Sequence, residues 1–342
     1  MTDRERASGL TQSSPVRAAI VGLGRWGQRL VTANANNPGS GLTFTRAATR
    51  TPEKAEEFCA EYELALSPDL DALLACDDLS VIVLATPHSQ HAAQVRAIAA
   101  TGRHVFVEKP LALNLSDARA AVEACEAAGV TFAVGFNRRF MPGYRALNAA
   151  IFDGTIGIPM HVEGSFCGSF GYGYSDDMWR GSSEENPAGG MAAMGIHVLD
   201  AMIAAMGPVR RVSTLSRRLA LTCSLDDTTS VQVEFVSGAT GTLSTLMATA
   251  SYWRLHAFGS KGWVQMPEEN RCVIAGIDAT PREVSFDPVD SVAAELACFA
   301  DVVRGVGAYP VTSAQALAGV AVMEAIAQSA RAGGDWVKVA EV

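Results

Sequence analysis

The turn Gly22-Leu23-Gly24-Arg25-Trp26-Gly27 follows the short apolar run Ala19-Ile20-Val21 and opens a stretch with helical periodicity. Few folds accept so abrupt a passage from a buried strand into a helix. In this pattern the first glycine permits the tight turn, the second lets a pyrophosphate approach the backbone, and the third lets helix and strand pack closely. The helix N-terminus then attracts negative charge. The spacing alone recurs in ordinary loops; the strand before it and the helix after it are what point to dinucleotide binding.

The rhythm continues accordingly. Apolar strands are expected over 18–21, 42–48, 81–85, 105–107 and 131–134, alternating with helices over 26–35, 52–62, 91–100 and 116–128. This α/β alternation predicts an N-terminal Rossmann domain, a doubly wound parallel sheet, over residues 16–135. Pro52 suits a first helical turn, and Gly102 and Gly129 suit helix ends.

Beyond it, residues 136–342 read as an α+β domain with a large, mostly antiparallel, open-faced sheet. Ser230 to Phe235 alternates strictly, Ser237-Gly238 turns the chain, and 242–247 returns, the pattern of a hairpin with one buried face. Further strands are expected over 160–166, 209–221, 254–258 and 262–265, with an amphipathic helix over 190–206 and a closing helix over 314–332. Residues 1–15 are polar, contain Asp3-Arg4-Glu5-Arg6 and lack an apolar core, so they read as a disordered leader rather than a signal peptide or anchor.

Charge narrows the function classes. With 27 basic against 36 acidic residues in 342, a formal charge of -9 argues against a nucleic-acid partner. No apolar run reaches membrane-spanning length. Seven scattered cysteines without Cys-x-x-Cys spacing indicate neither a disulfide framework nor a metal site, and fit a reducing cytoplasm. A sheet face without obvious helical cover predicts self-association as a homodimer or homotetramer through the second domain.

In an open parallel sheet, ligands lie outside the carboxyl ends of the strands. Lys109, in Glu108-Lys109-Pro110, leaves the Val105-Phe106-Val107 strand at that edge. The cofactor subtype is read at the end of the second strand, where an acid binds a ribose 2′-hydroxyl and an arginine accommodates a 2′-phosphate. Here the chain has Ala48-Thr49-Arg50-Thr51, so NADP is expected, with NAD possible; a solvated loop arginine is the alternative reading of Arg50.

Six fragments then fall in a familiar order: Gly22 to Gly27, Thr86-Pro87 with His91, Glu108-Lys109-Pro110, Gly135-Phe136-Asn137-Arg138-Arg139-Phe140, Gly154-Thr155-Ile156-Gly157 and Gly195-Ile196-His197-Val198-Leu199-Asp200. In this the chain resembles the Gfo/Idh/MocA oxidoreductases over nearly its whole length after Val16. The resemblance implies a Rossmann domain followed by an open-faced α+β domain, and NAD(P)-dependent oxidation or reduction of sugars, polyols and related ring compounds. It also implies proton transfer by Lys109 and His197, and cofactor binding by Gly22, Gly24, Arg25, Trp26, Gly27, Thr49, Arg50, Thr86, Pro87, His91, Glu108 and Lys109.

The chemistry needs such groups. Oxidising a secondary alcohol removes a hydride from carbon and a proton from oxygen, so a residue of suitable pKa must reach that oxygen. A lysine near another positive group moves toward neutrality, and histidine titrates there already. One departure stands out: where many relatives carry Asp four residues before the histidine, this chain has Ala193. Either Lys109 and His197 suffice, or another acid such as Asp176 or Asp177 substitutes, or the chain binds cofactor without turnover. Asp200 either fixes the His197 tautomer or forms a salt bridge or cap.

The glycine- and aromatic-rich segment 166–180 is the candidate substrate loop. Asn137, Tyr172, Asp176, Trp179 and Arg180 join His197 as candidate substrate contacts, Arg180 as a carboxylate clamp. The expected activity is a dehydrogenase or reductase on a hydroxyl or carbonyl of a sugar, polyol or cyclic compound. The alternative is a dehydrogenase of a carboxylated aromatic catabolite.

Overall fold

The computed structural model describes residues 15–342, so the expected leader, apart from Pro15, lies outside the described residues. The chain divides into two compact units. One contains the residues up to Leu111, Ser116–Asn137 and Asp290–Ser313; the other contains Ala112–Leu115, Arg138–Val289 and Ala314–Val342.

The first unit is built on six parallel strands: β1 (Val16–Val21), β2 (Leu42–Ala48), β3 (Ala65–Ser67), β4 (Val81–Leu84), β5 (His104–Glu108) and β6 (Phe132–Gly135). Their order in the sheet is β3-β2-β1-β4-β5-β6, the doubly wound arrangement whose switch point lies between β1 and β4. Val81-Ile82-Val83-Leu84 is buried at every position, as a parallel strand covered on both faces requires. Helices Arg25–Ala35, His91–Ala99 and Leu115–Ala128 follow the sequence reading closely. The stretch expected as one helix over 52–62 breaks into a short 3-10 turn, Pro52–Lys54, and the helix Glu56–Glu61.

One element departs from the expected division at residue 135. Helix Ser291–Val303 belongs to the first unit, not to the second domain. Its Val292, Leu296, Phe299 and Val303 join Ile20, Leu30 and Phe106 in a single core. The Phe299 ring meets Phe106 edge-on at 5.5 Å, and burying such a side chain contributes about 2–3 kcal/mol. Asp290 caps the helix and holds Arg29 at 2.8 Å. Linear periodicity carries no signal for a segment that returns to an earlier core.

The second unit carries nine strands: β7 (Pro159–Cys167), β8 (Val209–Arg217), β9 (Thr228–Phe235), β10 (Thr240–Leu246), β11 (Tyr252–Gly259), β12 (Gly262–Glu268), β13 (Arg271–Gly276), β14 (Arg282–Ser285) and β15 (Val337–Lys338). The order is β14-β13-β12-β11-β7-β10-β9-β8-β15, and every pairing is antiparallel except β7 with β10. The hairpin turn forms as expected, with Gly238 at φ +91. Helix Pro142–Phe152 packs on β12 and β13, and helix Gly195–Met206 on β7 and β10. At Gly164 of β7 a Cβ would stand 2.2 Å from the Val198 side chain, so only glycine lets that helix lie against the strand.

The helix expected over 190–206 is shorter and not amphipathic. It begins at Gly195 and is buried at every residue except Ala204, as befits a helix inside a core. Among the described residues none of the seven cysteines forms a disulfide, and no helix is long and apolar enough to cross a membrane.

Candidate active site

In the first unit, the glycine turn lies beyond the carboxyl end of β1. Gly22 sits at φ +96, and a Cβ there would be 2.6 Å from the Ala85 carbonyl oxygen. A Cβ on Gly27 would be 1.9 Å from the Gly22 carbonyl oxygen, whereas one on Gly24 would meet nothing within 4 Å. The two outer glycines are thus demanded by packing and the middle one faces open space. Gly24 also occupies the N-cap of helix Arg25–Ala35, with no side-chain cap and no acid in the first turn. The first-turn N–H groups are left for an anion, so this chain fits a dinucleotide pyrophosphate.

Arg25 is exposed at the turn, but Trp26 is partly buried against the core and reads as packing rather than as a cofactor platform. Arg50 is exposed just past β2, with Thr49 and Thr51 partly exposed beside it. Past β4, the Thr86 hydroxyl donates to Gln94 at 2.6 Å, and a Cβ on Gly22 would lie 3.1 Å from the Thr86 nitrogen, so the Thr86-Pro87 loop abuts the glycine turn. His91 is fully buried, with Nδ1 2.7 Å from the Pro110 carbonyl and Nε2 2.9 Å from the Thr86 carbonyl, so it braces the two loops that flank the sheet edge.

Lys109 is partly exposed immediately after β5, where the sequence places it. Glu108 is buried at 5% exposure, and its Oε2 accepts the Lys109 backbone N–H at 3.3 Å. Glu108 therefore supports the turn that carries Lys109. Asn137, expected to meet substrate, is also buried; its amide donates to the Ser291 hydroxyl at 2.8 Å and anchors the N-terminus of helix Ser291–Val303.

In the second unit, His197 is buried on the helix that covers β7, its ring 6.3 Å from that of Phe166. Phe166 pairs across strands with Trp253, and the two rings meet edge to face at 5.4 Å. The Arg138 guanidinium carbon lies over both rings, 4.5 Å and 4.4 Å from their centroids, a cation–π contact with each. Burial lowers the Arg138 pKa to about 10, against the opposing pull of Glu269. The sequence reading missed this cluster, because it depends on the register between β7 and β11; the only local signal was an aromatic on each strand.

Asp200 does not orient His197. Its carboxylate takes Arg139 in a fork, Oδ2 to Nε and Oδ1 to Nη2 both at 2.7 Å, a salt bridge to a residue outside the helix rather than along its face. Ala193 lies not one helical turn below His197 but in the turn preceding the helix, packed against the apolar cluster of Met194, Leu221, Cys223, Leu225 and Met247.

The candidate substrate loop is partly self-occupied. Asp176 accepts the Ser224 N–H at 2.7 Å and is held below the usual carboxylate range by hydrogen bonding to Ser224. Asp177 accepts from Ser175, Tyr172 is exposed and donates to the Ala248 carbonyl at 3.2 Å, and Arg180 stacks on Trp179 at 4.0 Å. These residues pin the loop.

Residues 16–136 match the oxidoreductase family with an NAD-binding Rossmann fold, and residues 144–265 match the GFO/IDH/MocA C-terminal domain. The chain belongs to the Gfo/Idh/MocA oxidoreductases. A D-apiose dehydrogenase of Paraburkholderia graminis is 28% identical over 228 residues, 64% of this chain and 59% of that protein. A scyllo-inositol 2-dehydrogenase (NAD(+)) of Bacillus subtilis is 35% identical over 161 residues, 44% of each. A solved oxidoreductase from Desulfitobacterium hafniense aligns over 96% of this chain and 98% of its own, with TM-score 0.86 and 25% identity. The chain spans between about half and three fifths of the length of the first curated relatives that it matches. Within the family, its first unit is the NAD-binding Rossmann domain and its second the mostly antiparallel sheet domain.

Proposed function

We propose that this protein is an NADP-dependent dehydrogenase or reductase acting on a hydroxyl or carbonyl carbon of a sugar, polyol or related cyclic compound. The carrying observation is Lys109, which leaves β5 at the same carboxyl edge of the parallel sheet as the uncapped glycine turn after β1. Gly22, Gly24, Arg25 and Gly27 would hold the pyrophosphate, and Thr49 and Arg50 the adenosine ribose phosphate. When bound, the nicotinamide accepts or returns a hydride. Lys109 Nζ takes the hydroxyl proton during oxidation and gives it back to the carbonyl oxygen during reduction. His197 is the candidate second proton carrier.

A second reading, a carboxylated ring substrate, draws on a different observation. Arg138 Nε and the Trp253 indole nitrogen are buried beside Phe166 without a hydrogen-bond partner among the described residues. Buried donors without acceptors are costly, and a substrate carboxylate or hydroxyl would satisfy them. One assay separates the readings: polyols, sugars and ring carboxylates offered with NADP and with NAD, followed by cofactor absorbance. Turnover of polyols with NADP supports the first reading and turnover of ring carboxylates alone the second; tight cofactor binding with no turnover leaves a binding protein, as Ala193 would suggest. For the cofactor, Arg50→Ala should weaken NADPH by more than about tenfold while sparing NADH, the loss of one charge-assisted phosphate contact. An NADH preference in the wild type would refute the NADP assignment.

The proposal extends to assembly and place. The β7, β11 and β12 face opposite helix Gly195–Met206 carries Glu163, Arg254, His256, Phe258 and Trp263, with His256 stacked on Phe258 at 4.0 Å. A half-buried aromatic patch of this kind suits a second copy of the chain as homodimer or homotetramer. Sedimentation showing only monomer at micromolar concentration would reject it. Five buried cysteines and the absence of disulfides among the described residues suit a cytoplasmic setting.

A further inference from the structure

Helix Ser291–Val303 buries one ionisable side chain, Glu295, in the apolar stripe formed by Val292, Leu296 and Phe299. Glu295 is 0% exposed, and neither carboxyl oxygen has a hydrogen-bond partner among the described residues. Every charged or titratable group acting on it belongs to the first unit: Glu108, Tyr309, Asp290 and Lys109. Of these, Asp290 is already paired with Arg29 at 2.8 Å and 2.9 Å. The Tyr309 hydroxyl donates to the Val134 carbonyl at 3.1 Å, and its hydrogen-bonding pull on Glu295 is weaker than the effect of burial.

The two glutamates are not equivalent. Glu108 accepts the Lys109 backbone N–H, which favours its anion, whereas Glu295 is 0% exposed and both its carboxyl oxygens lack a hydrogen-bond partner within contact geometry among the described residues. Two neighbouring buried carboxyls do not both ionise, and the more deeply buried one keeps the proton. We infer that Glu295 is held protonated in the folded protein and acts as a positioning residue for Lys109, leaving Glu108 as the charged carboxylate of the pair. Burial, and next the Glu108 charge, push Glu295 well above the usual carboxylate range, with Tyr309 pulling the other way. A second anion there would hold the Lys109 ammonium more firmly and oppose proton release. This consequence rests on Lys109 being the proton-transfer group; the protonation of Glu295 does not.

The test needs no substrate, so an inactive protein in the turnover assay would leave it intact. The chain has four lysines, Lys54, Lys109, Lys261 and Lys338, which makes titration of individual amines practical. The full chain would be reductively methylated with labelled formaldehyde, the Lys109 resonance assigned with Lys109→Ala, and its midpoint followed by NMR in wild type, Glu295→Gln and Glu108→Gln. The amide of Glu295→Gln mimics the neutral acid and should leave the midpoint in place, whereas Glu108→Gln should lower it by about one unit or more. A fall in Glu295→Gln equal to that in Glu108→Gln would show an ionised Glu295 and overturn the inference. Infrared difference spectra give a second readout: the carbonyl band of a protonated carboxylic acid should be present in wild type at neutral pH and absent from Glu295→Gln. No lost band would likewise reject it. A carboxyl whose folded pKa is raised costs stability as pH climbs above the ordinary glutamate value of 4.5, so Glu295→Gln should gain thermal stability over wild type as pH rises.

Discussion

Arg139 and Asp200 face each other fork to fork inside the second unit, both contacts at 2.7 Å and each side chain 7% exposed. Gln315 accepts a further Arg139 N–H at 3.1 Å, and burial next to this pair raises the Tyr144 hydroxyl to about 12. Removing one member of a buried pair strands the other charge. Asp200→Asn should therefore cost about 3–5 kcal/mol. Glu234→Ala, which breaks the far more exposed contact with Arg211, should cost under about 1 kcal/mol. Chemical denaturation of the two variants checks the contrast; equal losses would mean that Arg139 finds another partner.

The same pair shows what could be read from the sequence and what could not. The strands β1, β2, β4, β5 and β6 are legible because each is a short apolar run bounded by turns, and the glycine turn announces its own geometry. Lys109 follows directly from its place after β5. By contrast, Asp200 and His197 sit three residues apart on one helix, and only the fold reveals that Arg139 claims the carboxylate. The contact of Arg138 with both Phe166 and Trp253 depends on long-range strand register in the same way. β14 is a four-residue edge strand with no buried residue and leaves no hydrophobic pattern to detect. Glu295 did leave a signal: a lone acid three residues after Val292 and four before Phe299, on the stripe that the helix buries.

Gly24 separates folding from binding. Because a Cβ there meets nothing within 4 Å, Gly24→Ala should change stability by no more than about 0.5 kcal/mol. The methyl would occupy the approach of the pyrophosphate, so NADPH affinity should fall by about tenfold or more. Gly27→Ala, whose Cβ would stand 1.9 Å from a carbonyl oxygen, should instead destabilise the fold itself. Thermal melts with and without NADPH distinguish the two, and a Gly24→Ala protein that binds normally would argue against a pyrophosphate at this turn.

His256 makes stability depend on pH. Burial pushes its pKa from the ordinary 6.5 down to about 4, with Glu163 opposing and Arg254 assisting. The unfolded chain thus binds a proton at a higher pH than the folded one, and stability is lost as pH falls from about 6.5 toward 4. His256→Gln removes this dependence. The difference in melting temperature between wild type and variant should shift in favour of the variant across that window, and a constant difference would show that His256 titrates normally.

Lys109 is the proposed proton-transfer group. It leaves β5 at the sheet edge where a dinucleotide lies, it is only partly exposed, and its backbone is held by the buried Glu108 carboxylate. A general acid/base contributes about two to four orders of magnitude to turnover, and a residue that acts only on the substrate proton contributes little to cofactor affinity. Lys109→Ala should therefore lower kcat by about that factor on an identified substrate while NADPH binding stays within a few fold. His197→Ala should also be severe, although milder if His197 assists rather than initiates. Lys109→Arg is the informative companion: it keeps the charge and much of the length, yet an arginine does not release its proton near neutrality, so kcat should fall almost as far as in Lys109→Ala. Recovery of turnover in Lys109→Arg would recast Lys109 as an electrostatic anchor for substrate, and near wild-type turnover in Lys109→Ala would remove it from the chemistry altogether.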